Sequence, residues 1–170
     1  SKVVSVYADL LNLKYEVDDN LIIELRFENG LSALIEVFTS AFISYPRWHV
    51  LGSGGCLDIK DLDGEGQIVR GIVEEMEWGL HLVDHWGPKE PAHEPTSATR
   101  TMKPRPEHTI ERIQVPKIAQ DWQHFYFNYY EALNGKAELF VKPEESLRVM
   151  KVIDVAFESS RIGKSISCDI

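Results

Sequence analysis

Residues 122–166 read WQHFYFNYYEALNGKAELFVKPEESLRVMKVIDVAFESSRIGKSI, and the reading of this stretch decides the fold. It divides into two amphipathic helices joined by a short extended piece. The first is expected to open a little upstream, at Pro116, since a proline at a helix start gives up only an N–H that has no intrahelical partner there. It closes at Gly135, which can adopt the left-handed cap. Ile118, Trp122, Phe125, Tyr129 and Leu133 recur at spacings of three and four and form one apolar stripe. The second helix opens at Pro143, places Glu144 and Glu145 where the helix dipole favours anions, and ends with Arg161, Gly163 and Lys164. Leu147, Met150, Ile153 and Phe157 make its stripe. Val149, Val152, Val155 and Ala156 widen it, which predicts burial on more than one side.

Upstream of this pair the period changes from helical to alternating. Residues 2–11 are expected as a strand, with Val4 and Val6 opposed to Val3, Ser5 and Tyr7. Residues 20–27 and 31–38 flank Glu28-Asn29-Gly30, and Asn-Gly is the strongest short hairpin signal because both residues tolerate positive φ. With Asn29 and Gly30 as the two turn residues, Leu21, Ile23, Leu25 and Phe27 share a face with Leu34 and Phe38. The opposite face, Ile22, Glu24, Arg26, Ala33, Ile35 and Val37, is mixed. A sheet with a semi-apolar second face needs a cover, and a second copy of the same sheet is the economical one. Residues 47–51, 56–61, 67–73, 76–86 and 107–115 are further strands, and Ile166, Cys168 and Ile170 alternate as a last edge strand. The expected fold class is α+β, an open, mostly antiparallel sheet of about six to eight strands with helices on one face.

The 170 residues predict a single domain, 1–170, able to bury a core. A chain that is 44% hydrophobic and 26% charged has ordinary globular composition. Its 18 basic against 27 acidic residues, net −9, argue against nucleic acid or an anionic membrane as partner, because both need a basic face. No apolar run reaches the ~18 residues of a membrane span, and no signal peptide is seen. Cys56 and Cys168 lie far apart with no C-x-x-C, which predicts a reduced, cytoplasmic protein.

Motifs that resemble chemical sites have plainer readings. Residues 51–59, LGSGGCLDI, offer glycines to a phosphate, but no Gly-Lys-Ser/Thr and no helix follow, so a hairpin turn is expected. Gly163-Lys164-Ser165 follows a helix, with Glu158 where the first loop glycine would be needed. His81 and His85 share a face in the alternating run EWGLHLVDHW without a third local ligand, so they read as sheet-surface histidines and no metal is expected. Asp58 with Asp61, and Asp18 with Asp19, stand beside turns, where Asp serves local backbone hydrogen bonds. No Gly-x-Ser-x-Gly elbow, Cys–His pattern or Ser-x-x-Lys is present. Residues 87–106 hold five of the eight prolines, and a loop of this length is a lid, a partner-contacting arm or a solvated segment. Its His93, Arg100 and Arg105 could reach a ligand or a neighbouring subunit.

The run from YEALNG through LFVKPEESLRVMKVIDVAFESSRIGK resembles the closing segment of the Gfo/Idh/MocA family of NAD(P)-dependent sugar and polyol oxidoreductases. VVSVYADL, DDNLIIELRFENGLSALIEV and RWHVLGSGGCLDI agree with it in order; Lys142 departs from the usual Thr or Ser cap before Pro143. The resemblance implies a glyceraldehyde-3-phosphate dehydrogenase-like C-terminal domain. The family's dinucleotide-binding half, with its glycine fingerprint, Glu-Lys-Pro-like and Asp-x-x-x-His-like motifs, has no counterpart here, so the chain is expected to be the C-terminal domain of a longer polypeptide. It then carries no catalytic and no cofactor-binding residue; NAD or NADP belongs to the parent protein. The implied role is to wall a sugar or polyol pocket and to form a homodimer or higher homo-oligomer through the sheet. Arg47, His49, His85, Trp86 and His93 are the candidates for that wall, whereas Trp122, Phe125, Tyr126 and Tyr129 are expected in the core rather than as a sugar-stacking platform. A non-catalytic binding or assembly module of the same fold is the alternative.

Overall fold

The computed structural model describes residues 1–72, 107–118 and 121–170. The chain divides into two compact units, residues 1–44 with 121–170, and residues 45–120. Its strands are β1 Val3–Leu11, β2 Asn20–Phe27, β3 Ser32–Phe38, β4 Trp48–Leu51, β5 Gly55–Ile59, β6 Gly66–Gly71, β7 Ile110–Val115 and β8 Ile166–Ser167. Its helices are α1 Gln123–Leu133 and α2 Pro143–Ile162. The class is α+β, and every pairing among the described residues is antiparallel. The described strands form two four-stranded sheets, β3-β2-β1-β8 and β4-β5-β6-β7, where one sheet was expected. The expected strand 76–86 and the long loop 87–106 lie outside the described residues.

The first sheet keeps the expected strands but shifts their register. Glu28, Asn29 and Gly30 form a three-residue turn: Phe27 N–H donates to Leu31 O at 2.9 Å and Gly30 N–H to Phe27 O at 3.0 Å. Gly30 carries the left-handed step at φ 85°. Leu25 therefore stands opposite Ala33 and Ile23 opposite Ile35, and the one-residue slip moves all of β3 to the other face. Ala33, Ile35 and Val37, not Leu34 and Phe38, share the face of Ile23 and Leu25. In β1 a bulge at Val4 has the same kind of effect. It brings Val3 to the face of Val6 and Ala8, and all three are buried.

That face is covered by α2. Val3, Val6, Ala8, Leu25 and Ala156 form the buried cluster, with Ile23, Phe27, Ala33, Val152 and Val155 packed against it. Burying a valine or leucine side chain contributes about 1.5–3 kcal/mol, so these few contacts supply much of the unit's cohesion. The helix buries Ala156 and Ser159 and half-buries Val152, a stripe of period four and three. The expected stripe of Leu147, Met150, Ile153 and Phe157 is exposed. The helix start is secured by Glu145, whose Oε2 accepts the Lys142 N–H at 3.3 Å, offsetting the missing cap hydroxyl. Gly163 ends it in the left-handed conformation at φ 64°.

α1 begins seven residues later than Pro116. Its first turn is held by Asp121, whose Oδ1 accepts the Gln123 N–H at 2.9 Å. Ile118 instead donates its N–H to Asp63 O at 2.7 Å, which commits residues 116–118 to the second unit. The stripe Trp122, Phe125, Tyr129 and Leu133 is exposed, as is Tyr126, contrary to the expected core position. The buried residue of α1 is Asn128. It donates to Glu138 O at 2.7 Å and accepts the Phe140 N–H at 2.8 Å, fastening the extended piece between the helices.

Candidate functional site

The second sheet holds the sequence candidates that the structure describes. Residues 51–59 form a hairpin, as expected: Gly52 N–H donates to Gly55 O at 2.9 Å, Gly55 N–H donates back to Gly52 O at 3.4 Å, and Ser53-Gly54 make the turn. No helix follows β5, so these glycines offer no cradle for a dinucleotide phosphate. The described residues do not fit a nicotinamide cofactor.

This hairpin sets a register that carries through the sheet. His49 stands opposite Asp58, Asp58 opposite Gln67, and Gln67 opposite Gln114, so one polar row crosses all four strands. His49 Nδ1 lies 3.4 Å from Asp58 Oδ1. Just beyond the ends of β4 and β5, Arg47 N–H donates to Lys60 O at 3.3 Å, while Lys60 N–H turns to the other side and donates to Glu65 O at 3.0 Å. Alternation puts the row of His49, Asp58, Gln67 and Gln114 on one face of the sheet. The other face is apolar, with Val50, Leu57, Ile68 and Ile113 in one row. Ile59 beside that row is buried, and opposite it Gly66 is also buried, where a β-carbon would run into the β5 backbone.

Other charges among the described residues of this unit are paired. Arg70 Nε lies 2.6 Å from Glu111 Oε2, and Arg112 Nη2 lies 3.0 Å from Glu107 Oε1. The hydrogen bond from Arg112 holds the Glu107 carboxyl below its ordinary value. Lys117 Nζ bridges Asp63 and Glu65 at 3.0 and 3.2 Å, which depresses Asp63 and raises the lysine itself. Among the described residues Arg47 and Lys60 have no carboxylate partner.

Of the five candidates for the pocket wall, His49 lies in β4 and Arg47 stands at the bend just before that strand. His85, Trp86 and His93 lie outside the described residues, as do His81, Arg100 and Arg105. Asp58, read as a turn carboxylate, is mid-strand and faces His49, whereas Asp61 does serve its turn, accepting the Leu62 N–H at 2.7 Å. Gln67 and Gln114 were not singled out, and Asp58 was read only as a turn residue. Pairing outward from Ser53-Gly54 would have set Asp58 opposite His49. Among the described residues no group of three or more His, Cys, Asp or Glu side chains gathers as a metal site. Cys56 and Cys168 are free thiols.

The geometry defines an antiparallel α+β domain with a polar sheet face and, among the described residues, no phosphate cradle, and comparison with known proteins gives that description a family. The model of the oxidoreductase family's C-terminal alpha/beta domain matches residues 1–168, and the chain belongs to the Gfo/Idh/MocA oxidoreductases. No curated protein matches. Among solved structures, an NAD-binding protein from Listeria innocua is similar at 32% identity and a TM-score of 0.73, over 99% of this chain and 46% of that one. The yvaA protein of Bacillus subtilis shares the fold at 14% identity and a TM-score of 0.69, over 98% of this chain and 45% of that one. An oxidoreductase from Agrobacterium radiobacter, solved with NAD+, L-tartaric acid and magnesium, shares it at 10% identity and a TM-score of 0.61, over 98% of this chain and 43% of that one. The chain thus spans less than half the length of these relatives. None of its described helices is long and apolar enough to cross a membrane.

Proposed function

We propose that this chain is the substrate-binding and oligomerisation domain of a cytoplasmic NAD(P)-dependent oxidoreductase that acts on a sugar or polyol, and that it is inactive by itself. The observation that carries the reading is the Listeria innocua NAD-binding protein, to which nearly the whole chain is similar while leaving more than half of that protein unmatched. Hydride transfer needs a bound nicotinamide and a proton-transferring group beside the carbinol oxygen. In this reading both come from the unmatched part, and the present chain supplies a wall. In this reading His49, on the polar sheet face, belongs to that wall together with Arg47, His85, Trp86 and His93. A hydroxyl-rich substrate suits a row of His49, Asp58, Gln67 and Gln114, which offers donors and acceptors in alternation.

The test is nicotinamide reduction by the full-length polypeptide across neutral and acidic sugars and polyols, beside the 170-residue chain alone. Turnover by the long form and none by the short one supports the proposal. A well-folded full-length protein that binds no NAD(P) and turns over no member of the panel replaces it with a non-catalytic binding or assembly module.

A further inference from the structure

We propose that an outward arc of α2, from Val149 to Phe157, docks the part of the parent polypeptide that lies outside these 170 residues. This docking rests on the reading of the chain as one domain of a longer oxidoreductase and gives that reading a surface. At about 100° per residue, Val149, Met150, Ile153 and Phe157 fall within an arc of about 100°, joined there by Ser146 and Ser160 alone. Every Asp, Glu, Lys and Arg of α2 lies outside the arc. A surface helix ordinarily keeps one apolar stripe for the core and turns charge to water. α2 already spends one stripe on the sheet through Val152 and Ala156, yet it carries this second, uncharged one, with Val149 58%, Met150 53% and Phe157 51% exposed. Methionine and aromatic residues with charge kept away are the composition of an interface core. The unit made of residues 1–44 and 121–170 is described at every residue, so no segment of that unit covers the arc.

The positions of Ser1 and Ile170 single out the occupant. Arg148, the neighbour of Val149, donates to the carbonyls of both residues. Whichever of the two continues into the rest of the polypeptide, that rest leaves the domain at the first turns of α2, beside the arc. Val149 to Phe157 is about 12 Å along the helix axis, a distance that about four extended residues cover. The Listeria innocua protein has more than half its length outside the match, which is ample for a covering domain. A second copy is assigned elsewhere, since the proposed oligomer forms through the sheet, on the face turned away from α2 where Leu34 is exposed.

Photo-crosslinking of the full-length polypeptide carrying Phe157→p-benzoylphenylalanine, with the linked peptides read by mass spectrometry, tests this. The expected link joins position 157 to a peptide outside residues 1–170 of the same polypeptide. Met150 in the unsubstituted protein should then resist peroxide roughly tenfold better than in urea, because oxidation follows exposure. Ile153→Asp should split the single thermal transition of the full-length protein into two, whereas Lys151→Asp, outside the arc, should leave one. A link to a second polypeptide overturns the proposal in favour of self-association, and a link to residues 45–120 overturns it in favour of the chain's own second unit. Met150 oxidised as fast in the folded protein as in urea overturns it outright, as does a single, unshifted transition for Ile153→Asp. Nicotinamide turnover on the sugar and polyol panel, measured on the same protein, separates the two readings: turnover with any of these failures leaves the oxidoreductase domain standing. A natural polypeptide with nothing outside these residues overturns both.

Discussion

Ser159 Oγ accepts the backbone N–H of Ala8 at 3.0 Å, so a helix side chain completes a strand edge. β8 pairs with β1 at Ser5 and Val6 and then ends. Beyond it the outward amides of β1 would be left open, and α2 meets them with hydroxyls, Ser159 at Ala8 and Ser160 at Leu10, the latter at 3.1 Å. Ser159 is fully buried and also donates to Lys164 O at 2.7 Å, so one hydroxyl ties strand, helix and the turn after it.

Ser159→Ala leaves the Ala8 N–H and the Lys164 carbonyl unpaired in a buried place and should destabilise the protein by about 1–3 kcal/mol. Urea unfolding followed by circular dichroism measures this. Ser160→Ala, at the less buried contact, is expected to cost less, and equal costs would show that burial is not what makes the Ser159 bond matter.

Acid should release the loop between β1 and β2. The buried Asp19 carboxylate accepts the N–H groups of Leu13, Lys14 and Tyr15 at 3.0, 2.6 and 2.9 Å and the side chain of Asn20 at 2.7 Å. These bonds, that of Leu13 foremost, lower its pKa from 3.8 to about 2. A folded-state value below the unfolded one gives stability that is fully present above pH about 4 and lost as pH falls towards 2. The urea midpoint should fall through that window in the natural protein. Asp19→Asn should start lower at neutral pH and show a flatter acid limb, and an unchanged limb would remove Asp19 from the account.

Glycine is required at position 66 and not at position 54. A β-carbon on Gly66 would clash with the Asp58 carbonyl and lie 2.9 Å from Ile59 Cα, so Gly66→Ala should cost about 1–3 kcal/mol. Nothing lies within 4 Å of a β-carbon at Gly54, where Gly54→Ala should be close to neutral. Thermal melts of the two variants give the comparison, and similar losses would mean that strain in the Ser53-Gly54 turn dominates.

The proposed oligomer is tested at the outer face of the first sheet. Tyr7, Glu24, Arg26 and Leu34 lie there, with Leu34 61% exposed. Light scattering over a range of concentrations should show a dimer, and Leu34→Glu, which adds a third carboxylate beside Glu24 and Glu36, should shift it to monomer without loss of secondary structure. A monomer at every concentration would withdraw the oligomerisation role.

The fold class and most strands were legible because alternation and turn chemistry are local. Asn20–Phe27 falls on the expected residues, and Ser53-Gly54 turns where the glycines said it would. What escaped was register. Glu28 joins Asn29 and Gly30 in the turn, and Val4 bulges out of β1; each is a one-residue event that hydrophobicity alone does not report, yet each reassigns a face. The helix stripes were read from apolar spacing, but α2 chose the side carrying Ser159, because an open strand edge needed a hydroxyl more than Leu147 needed cover. The candidate site was half visible. Arg47 and His49 stood out by residue type, while Asp58 finds its place opposite His49 only when the hairpin is zipped from its turn.

The two ends of the chain lie side by side: Val3 N–H donates to Ile170 O at 2.6 Å, Ile170 N–H to Val3 O at 3.1 Å, and Arg148 reaches both Ser1 O and Ile170 O. Tension applied between residues 1 and 170 would load these bonds one after another instead of all together. The domain should then open like a zipper from this corner at low force, with Arg148 as its first tooth, while a pull across β2 and β3 would have to shear a whole ladder at once.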